Sequence, residues 1–259
     1  MCFHAHPDDE AIGTGGTMAK AAAEGHRVVL VVATKGEVGE VPEGFLAPGE
    51  PLWERRVAET HAAAEILGIA RVEFLGFADS GMMGTPENDA PESFWQADVD
   101  DAARRLAAIL EEEGADVLTT YDENGGYGHP DHIQVHRVGM RAGRRAATTK
   151  VYMNTMNRDH LRRGVARAAE LGLEPFGDID FGEIDVGVPE SRITTVVDVH
   201  DYLDDKRRAM AAHASQIAES SFWLSMPEDL FAEAFGREWY VLDGALPGWV
   251  EADLFEGLA

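Results

Sequence analysis

Apolar residues along this chain fall into two alternating patterns. Short continuous runs such as residues 28–34 (VVLVVAT) predict strands buried on both faces, and stretches with apolar positions three and four apart predict amphipathic helices. Strands are expected at 1–5, 28–34, 71–75, 116–120 (DVLTT), 150–154, 193–199 (ITTVVDV) and 237–242. Helices are expected at 53–67, 98–113, 131–147, 157–171 and 201–219, and Gly68 and Gly114 follow the first two as stop signals. This alternation predicts an α/β fold, a Rossmann-like three-layer sandwich with a mostly parallel sheet, in one domain spanning 1–259. Ligands of such folds sit beyond the carboxyl ends of the strands. That directs attention to three long loops, 35–52, 76–96 and 121–130, which are Gly-rich or acidic. Only five residues precede His6, so the first strand is short, and a natural chain is expected to carry further apolar residues ahead of Met1.

Two clusters of His, Asp and Pro follow predicted parallel strands. The first is His6-Pro7-Asp8-Asp9-Glu10, directly after the first strand and before a Gly-rich helix start, Gly13-Thr14-Gly15-Gly16-Thr17. Imidazole nitrogens and carboxylate oxygens are good zinc donors, and Pro7 fixes one backbone angle of the turn. Asp8 and Asp9 are adjacent, so one can bind a metal while the other faces a reacting water. The same residues also suit an acidic turn that caps a helix. The second cluster is Tyr127-Gly128-His129-Pro130-Asp131-His132, which opens the helix at 131–147. Alone it reads equally as a loop with an N-cap Asp. Two such clusters after separate parallel strands rarely coincide by chance, and together they can supply three ligands and leave one position open. His132 and His136 lie four apart, so both could face a metal. His4, two residues before His6, shares its strand face.

Composition narrows the classes. Among 259 residues, 47 are acidic and 22 basic, a formal net charge of −25 that repels phosphate backbones and anionic membranes. No nucleic-acid or membrane partner is expected, and no apolar run approaches a membrane span. Cys2 is the one cysteine, so no disulfide can form within the chain, and a cytoplasmic location fits. No nucleophile elbow is present, and residues 13–17 lack the Gly-Lys-Ser/Thr ending of a phosphate-binding loop.

At these residues the sequence resembles the LmbE-like family, the PIG-L deacetylases, which are zinc-dependent N-deacetylases of N-acetylglucosamine derivatives and related amides. The likeness rests on His6 to Glu10 with Gly13, Gly15, Gly16 and Thr17, and on His129-Pro130-Asp131-His132. It extends to Arg56-Val57-Ala58-Glu59 with Leu67-Gly68, and to Lys206, His213, Ser215 and Gln216. The resemblance implies His6, Asp9 and His132 as ligands of one zinc ion per chain, with Fe2+ as the alternative metal; His136 then packs behind. It implies Asp8 as general base, and a protonated His129, oriented by Asp131, as the group that stabilises the tetrahedral intermediate and protonates the leaving amine. Tyr127 looks like a tyrosine that polarises the carbonyl, and Arg56 and Glu40 would contact substrate.

Within the family, residues 4–10 and Gly36-Glu37-Val38-Gly39-Glu40 are similar to the mycothiol-pathway members. One of these deacetylates N-acetylglucosaminyl-inositol and another cleaves mycothiol S-conjugates. The conjugate amidase typically carries Lys where this chain has Gly13. A sugar N-deacetylase is therefore expected first, on a small-molecule sugar amide and with the inositol glycoside as best single substrate. The S-conjugate, another amide-bearing sugar or an antibiotic precursor is the alternative. Trp53, Phe94, Trp95, Phe222 and Trp223 could stack on sugar faces or simply pack.

Overall fold

Each apolar run becomes a strand of one sheet in the computed structural model, which describes residues 1–170, 186–246 and 248–258. The strands are β1 (Cys2–His4), β2 (Val29–Val32), β3 (Arg71–Phe74), β4 (Val117–Tyr121), β5 (Lys150–Thr155), β6 (Thr195–Asp198) and β7 (Arg237–Leu242). They lie in the order β3-β2-β1-β4-β5-β7-β6. β1 to β5 pair in parallel, and β7 runs antiparallel to both of its neighbours. The sheet is thus mostly parallel, as the alternating pattern predicts.

The helices are α1 (Asp9–Gly13), α2 (Gly15–Ala23), α3 (Leu52–Ile66), α4 (Val99–Glu113), α5 (Pro130–Arg145), α6 (Arg158–Glu170), α7 (Leu203–Ala212), α8 (Phe222–Ser225) and α9 (Glu228–Phe235). α4 shows how local sequence sets such an element. The Asp98 side chain accepts the N–H of Asp101 at its start, and Gly114 adopts left-handed φ 57° at its end. Its buried face, with Leu106 and Leu110, joins Val135 and Val138 of α5 on one side of the sheet, against Phe3, Val29, Val31 and Leu118. On the other side Met18, Ala19, Leu67 and Met210 pack with Cys2 and Val28. These are the three layers. Alternate residues of β1, Cys2 and Phe3, serve opposite layers, which is why the strand is apolar throughout.

Two features depart from the patterns. The helix expected at 201–219 ends at Ala212, because His213 leaves helical geometry (φ −84°, ψ 48°) and the chain turns to bring His213 and Ser215 onto buried carboxylates. The expected helix 157–171 runs over Arg158–Glu170, and Leu171 lies outside the described residues. At Gly16 a Cβ would meet Val199 at 2.6 Å, so the α2 backbone approaches the end of β6 as only glycine allows. Glu238 caps that helix through the N–H groups of Gly16 (2.9 Å) and Thr17 (2.8 Å), and buried Lys206 neutralises it at 2.5 Å. The C-terminal segment docks on its own sheet. Leu254 is buried, and Glu251 accepts from Tyr152 Oη and Lys150 Nζ, each at 2.6 Å. Among the described residues no helix is long and apolar enough to cross a membrane.

Leu106 is fully buried between α4 and the sheet. Leu106→Ala is expected to lower unfolding free energy by about 2–5 kcal/mol, read by denaturant titration, since the closely packed layer closes only partly over the gap.

Candidate metal and catalytic site

The loops after β1, β3 and β4 converge at the carboxyl edge of the sheet. β1 ends at His4 and delivers His6; the segment after β3 delivers Asp79 and Ser80; the turn after β4 leads into α5 with His129, Asp131 and His132. Side chains of His6, His129 and His132 bring one donor atom each within 4.8 Å of one another, and so do those of His6, Asp79 and Asp131.

The free donor atoms bring Asp9 into the cluster as well. His6 Nε2 donates to Asp131 Oδ2 at 3.0 Å and lies 3.5 Å from Asp79 Oδ1, which leaves Nδ1 facing Asp9 Oδ2 at 3.4 Å. His132 Nδ1 donates to the Gly125 carbonyl at 3.2 Å, while its buried Nε2 has no hydrogen-bond partner among the described residues and stands 3.4 Å from the same Asp9 oxygen. Bonds of about 2.0–2.1 Å to a tetrahedral cation would place neighbouring donors about 3.3 Å apart. An orphaned imidazole nitrogen beside a shared carboxylate oxygen at that spacing fits a divalent cation better than a hydrogen-bonded cluster. The carboxylates behind His6 and the carbonyl behind His132 fix ring orientation, as metal-binding histidines require. Burial opposes charge on His6, but Asp131, Asp79 and Asp9 outweigh it and raise its pKa well above the usual range. Burial likewise disfavours charged Asp9, yet His132 and His6 draw its pKa well down.

Asp8 occupies an unusual backbone state, φ 102°, in a non-glycine residue. Such conformations cost on the order of 1–3 kcal/mol and persist where surroundings hold them. Arg56, 3% exposed, supplies part of the hold. Its guanidinium donates to the carbonyls of Pro7 (2.5 Å) and Gly36 (2.8 Å) and to Asp8 Oδ2 (3.2 Å). Gly36 has no room for a side chain, since a Cβ would lie 2.1 Å from that guanidinium. Burial pushes Asp8 up to about 6, against the pull of Arg56 and helped by neighbouring Asp9.

His129 is the N-cap of α5, and its Nδ1 accepts the backbone N–H of Asp131 at 3.1 Å. The Asp131 carboxylate does not orient His129, as the sequence reading expected. It binds His6, the Ser80 N–H (2.9 Å) and the Ser80 hydroxyl. Burial and the neighbouring His6 and His132 lower His129 to about 4, a shift that favours the neutral ring, whereas the sequence points to a protonated one. Tyr127 is 46% exposed at the rim, its ring centroid 4.9 Å from His132 and 6.3 Å from His129. Burial of its hydroxyl, with Asp9 near, raises its pKa.

Other expected site residues lie elsewhere. Glu40 is exposed, with its carbonyl accepting from Gln216 Nε2 at 3.1 Å. His136 donates to or accepts nothing in the cluster; its Nδ1 meets the Tyr121 carbonyl at 2.9 Å. His4 joins a buried chain behind the cluster, Tyr121 Oη at 2.7 Å and Thr14 Oγ1 at 2.8 Å, and the Tyr121 ring packs on His132 with centroids 4.8 Å apart. Phe94 is core, and Lys35 lies over Trp53 and Arg137 over Trp95. Asp79 and Ser80 were missed; the only signal for them was their place in the long loop after a parallel strand.

Comparison with known proteins adds to this geometry. The family model described as PIG-L, GlcNAc-PI de-N-acetylase, matches residues 1–143. The 1D-myo-inositol 2-acetamido-2-deoxy-alpha-D-glucopyranoside deacetylase of Geodermatophilus obscurus is 44% identical over 286 residues, covering 100% of this chain and 97% of that protein. A protein of the same name from Acidothermus cellulolyticus is 44% identical over 275 residues, covering 100% and 94%. N,N'-diacetylchitobiose deacetylase of Pyrococcus horikoshii superposes with TM-score 0.59 at 24% identity, over 95% of this chain and 83% of that one, which shows a shared fold.

The electrostatics of Asp8 make a prediction independent of substrate. Its folded pKa of about 6 lies above the ordinary 3.8, so the folded state binds more protons between these values and stability falls as pH rises through them. Metal-free Asp8→Asn is therefore expected to be more stable than metal-free wild type at pH 7, with the gap closing below pH about 4 in denaturant titrations. A gap that widens toward acid would contradict the burial of this carboxylate.

Proposed function

Since the chain belongs to the PIG-L family of de-N-acetylases, we propose that it hydrolyses the acetamide of an N-acetylglucosamine glycoside, with 1D-myo-inositol 2-acetamido-2-deoxy-alpha-D-glucopyranoside as substrate. The observation that carries this reading is the shared Asp9 oxygen, 3.4 Å from two imidazole nitrogens, with Asp8 next to it in the chain. His6, Asp9 and His132 would hold one cation. Two imidazoles and a carboxylate suit zinc, and also ferrous iron. When bound, the ion would supply Lewis acidity toward water and the amide carbonyl.

The chain's own groups account for the remaining needs of amide hydrolysis. Asp8, with a pKa of about 6, is ionised at neutral pH yet basic enough to accept a proton from the attacking water. His129 accepts at Nδ1, so its neutral ring carries the proton on Nε2 and offers a hydrogen-bond donor. His129 Nε2–H would donate to the carbonyl oxygen as negative charge develops there, and the proton that Asp8 takes from water would pass to the leaving amine. Tyr127 at the rim adds a second donor to that oxygen. Asp131 acts on His6, and Arg56 acts on Asp8 and Pro7, so a contact of Arg56 with substrate would come in addition to these bonds. Glu40, exposed on the loop after β2, would contact the glycoside.

Gly13 supports the deacetylase over the S-conjugate amidase. A Cβ there would lie 3.0 Å from Asn154 Oδ1, so the lysine of the amidase pattern would need this contact to give way.

Zinc-loaded protein is expected to release a primary amine from the inositol glycoside, and Asp8→Ala to lose about 10²–10⁴-fold in kcat. Cleavage of a mycothiol S-conjugate with the glycoside untouched would move the assignment to the amidase.

A further inference from the structure

We propose that His213 and Glu10 are positioning residues that hold Asp8 in its working conformation. The inference rests on the reading of Asp8 as the general base. Asp8 is the N-cap of α1, where an aspartate ordinarily turns its carboxylate onto the helix N–H groups. Here the side chain makes no capping bond, and φ is 102°. Its carboxylate is instead withdrawn toward Arg56 at 3.2 Å.

Something must keep this residue from relaxing into an ordinary cap. Glu10 reaches back to do so. Its Oε2 accepts the Asp8 backbone N–H at 2.9 Å, and its Oε1 accepts from His213 Nε2 at 2.5 Å. Glu10 and His213 are both completely buried, and among the described residues His213 Nδ1 has no hydrogen-bond partner, so the ring's hydrogen bond there is to Glu10. His213 is supplied from 203 residues away, at the point where α7 stops.

The same short segment also fastens the helix that supplies Arg56. Ser215 donates from its N–H (2.9 Å) and its hydroxyl (2.6 Å) to the two oxygens of Glu59, one turn along α3 from Arg56. Arg56 in turn holds the Pro7 carbonyl and the Asp8 carboxylate. Residues 213–215 thus hold the backbone of Asp8 through Glu10, and through Glu59 they fasten α3, the helix that supplies Arg56. A structural ion pair would need only the first contact of Glu10; the second oxygen, spent on Asp8, makes it a positioning device.

The test compares zinc-loaded wild type with His213→Ala, His213→Gln, Glu10→Gln and Asp8→Asn on the inositol glycoside, with zinc content measured for each. His213→Ala is expected to lower kcat by about 10–10²-fold, the scale of a misplaced catalytic group, with KM and zinc content unchanged. His213→Gln, which can still donate to Glu10, should recover much of that loss. Glu10→Gln can accept from only one of its two present donors and should lose kcat while keeping zinc, so it carries the test if His213→Ala does not fold. Full kcat in Glu10→Gln, or losses that simply follow lost zinc, would overturn the positioning role. An active Asp8→Asn would instead remove the base assignment beneath it.

Discussion

The site depends on one turn. Asp8 and Asp9 are adjacent, and the chemistry needs their carboxylates apart, one among imidazoles and one free to accept a proton. Positive φ at Asp8 achieves this separation. After it, Asp9 faces His6 and His132 while Asp8 meets Arg56. A relaxed backbone would return Asp8 to capping α1. Much of the surrounding architecture can be understood as what holds this turn. Arg56 comes from α3, Glu10 from α1 itself, and His213 from the end of α7. Gly36 leaves space for the arginine.

A second constraint is the division of labour within each imidazole. His6 gives Nε2 to carboxylates and His132 gives Nδ1 to a carbonyl, so the nitrogen left over on each is the one beside Asp9. His129 is different. Its Nδ1 is engaged by the Asp131 N–H as a helix cap, which sets its tautomer and leaves its other edge as a donor. Three histidines in one cluster thereby take two kinds of role, and backbone and second-layer contacts make the assignment.

The sheet and the two motif clusters were legible because their signals are local. Continuous apolar runs mark strands buried on both faces, and His6 to Glu10 and His129 to His132 are contiguous in sequence. What escaped the sequence is what depends on distant partners. Asp131 was expected on His129, its near neighbour, but its carboxylate serves His6, 125 residues away. The end of α7 was misplaced because helical period continues past Ala212, whereas the side chains of His213 and Ser215 are drawn onto Glu10 and Glu59. Asp79 and Ser80 carry no motif of their own and are recruited only when the loop after β3 folds back. The lowered pKa of His129 likewise follows from burial beside two other rings, which no local pattern records.

The most direct test of the central claim is zinc content in Asp9→Ala and His129→Ala, measured on protein reconstituted with the metal. A centre built from His6, Asp9 and His132 predicts about one zinc per chain in the wild type and in His129→Ala, and its loss in Asp9→Ala. Zinc kept by Asp9→Ala and lost from His129→Ala would contradict the account, and would place the cation among the three histidines instead.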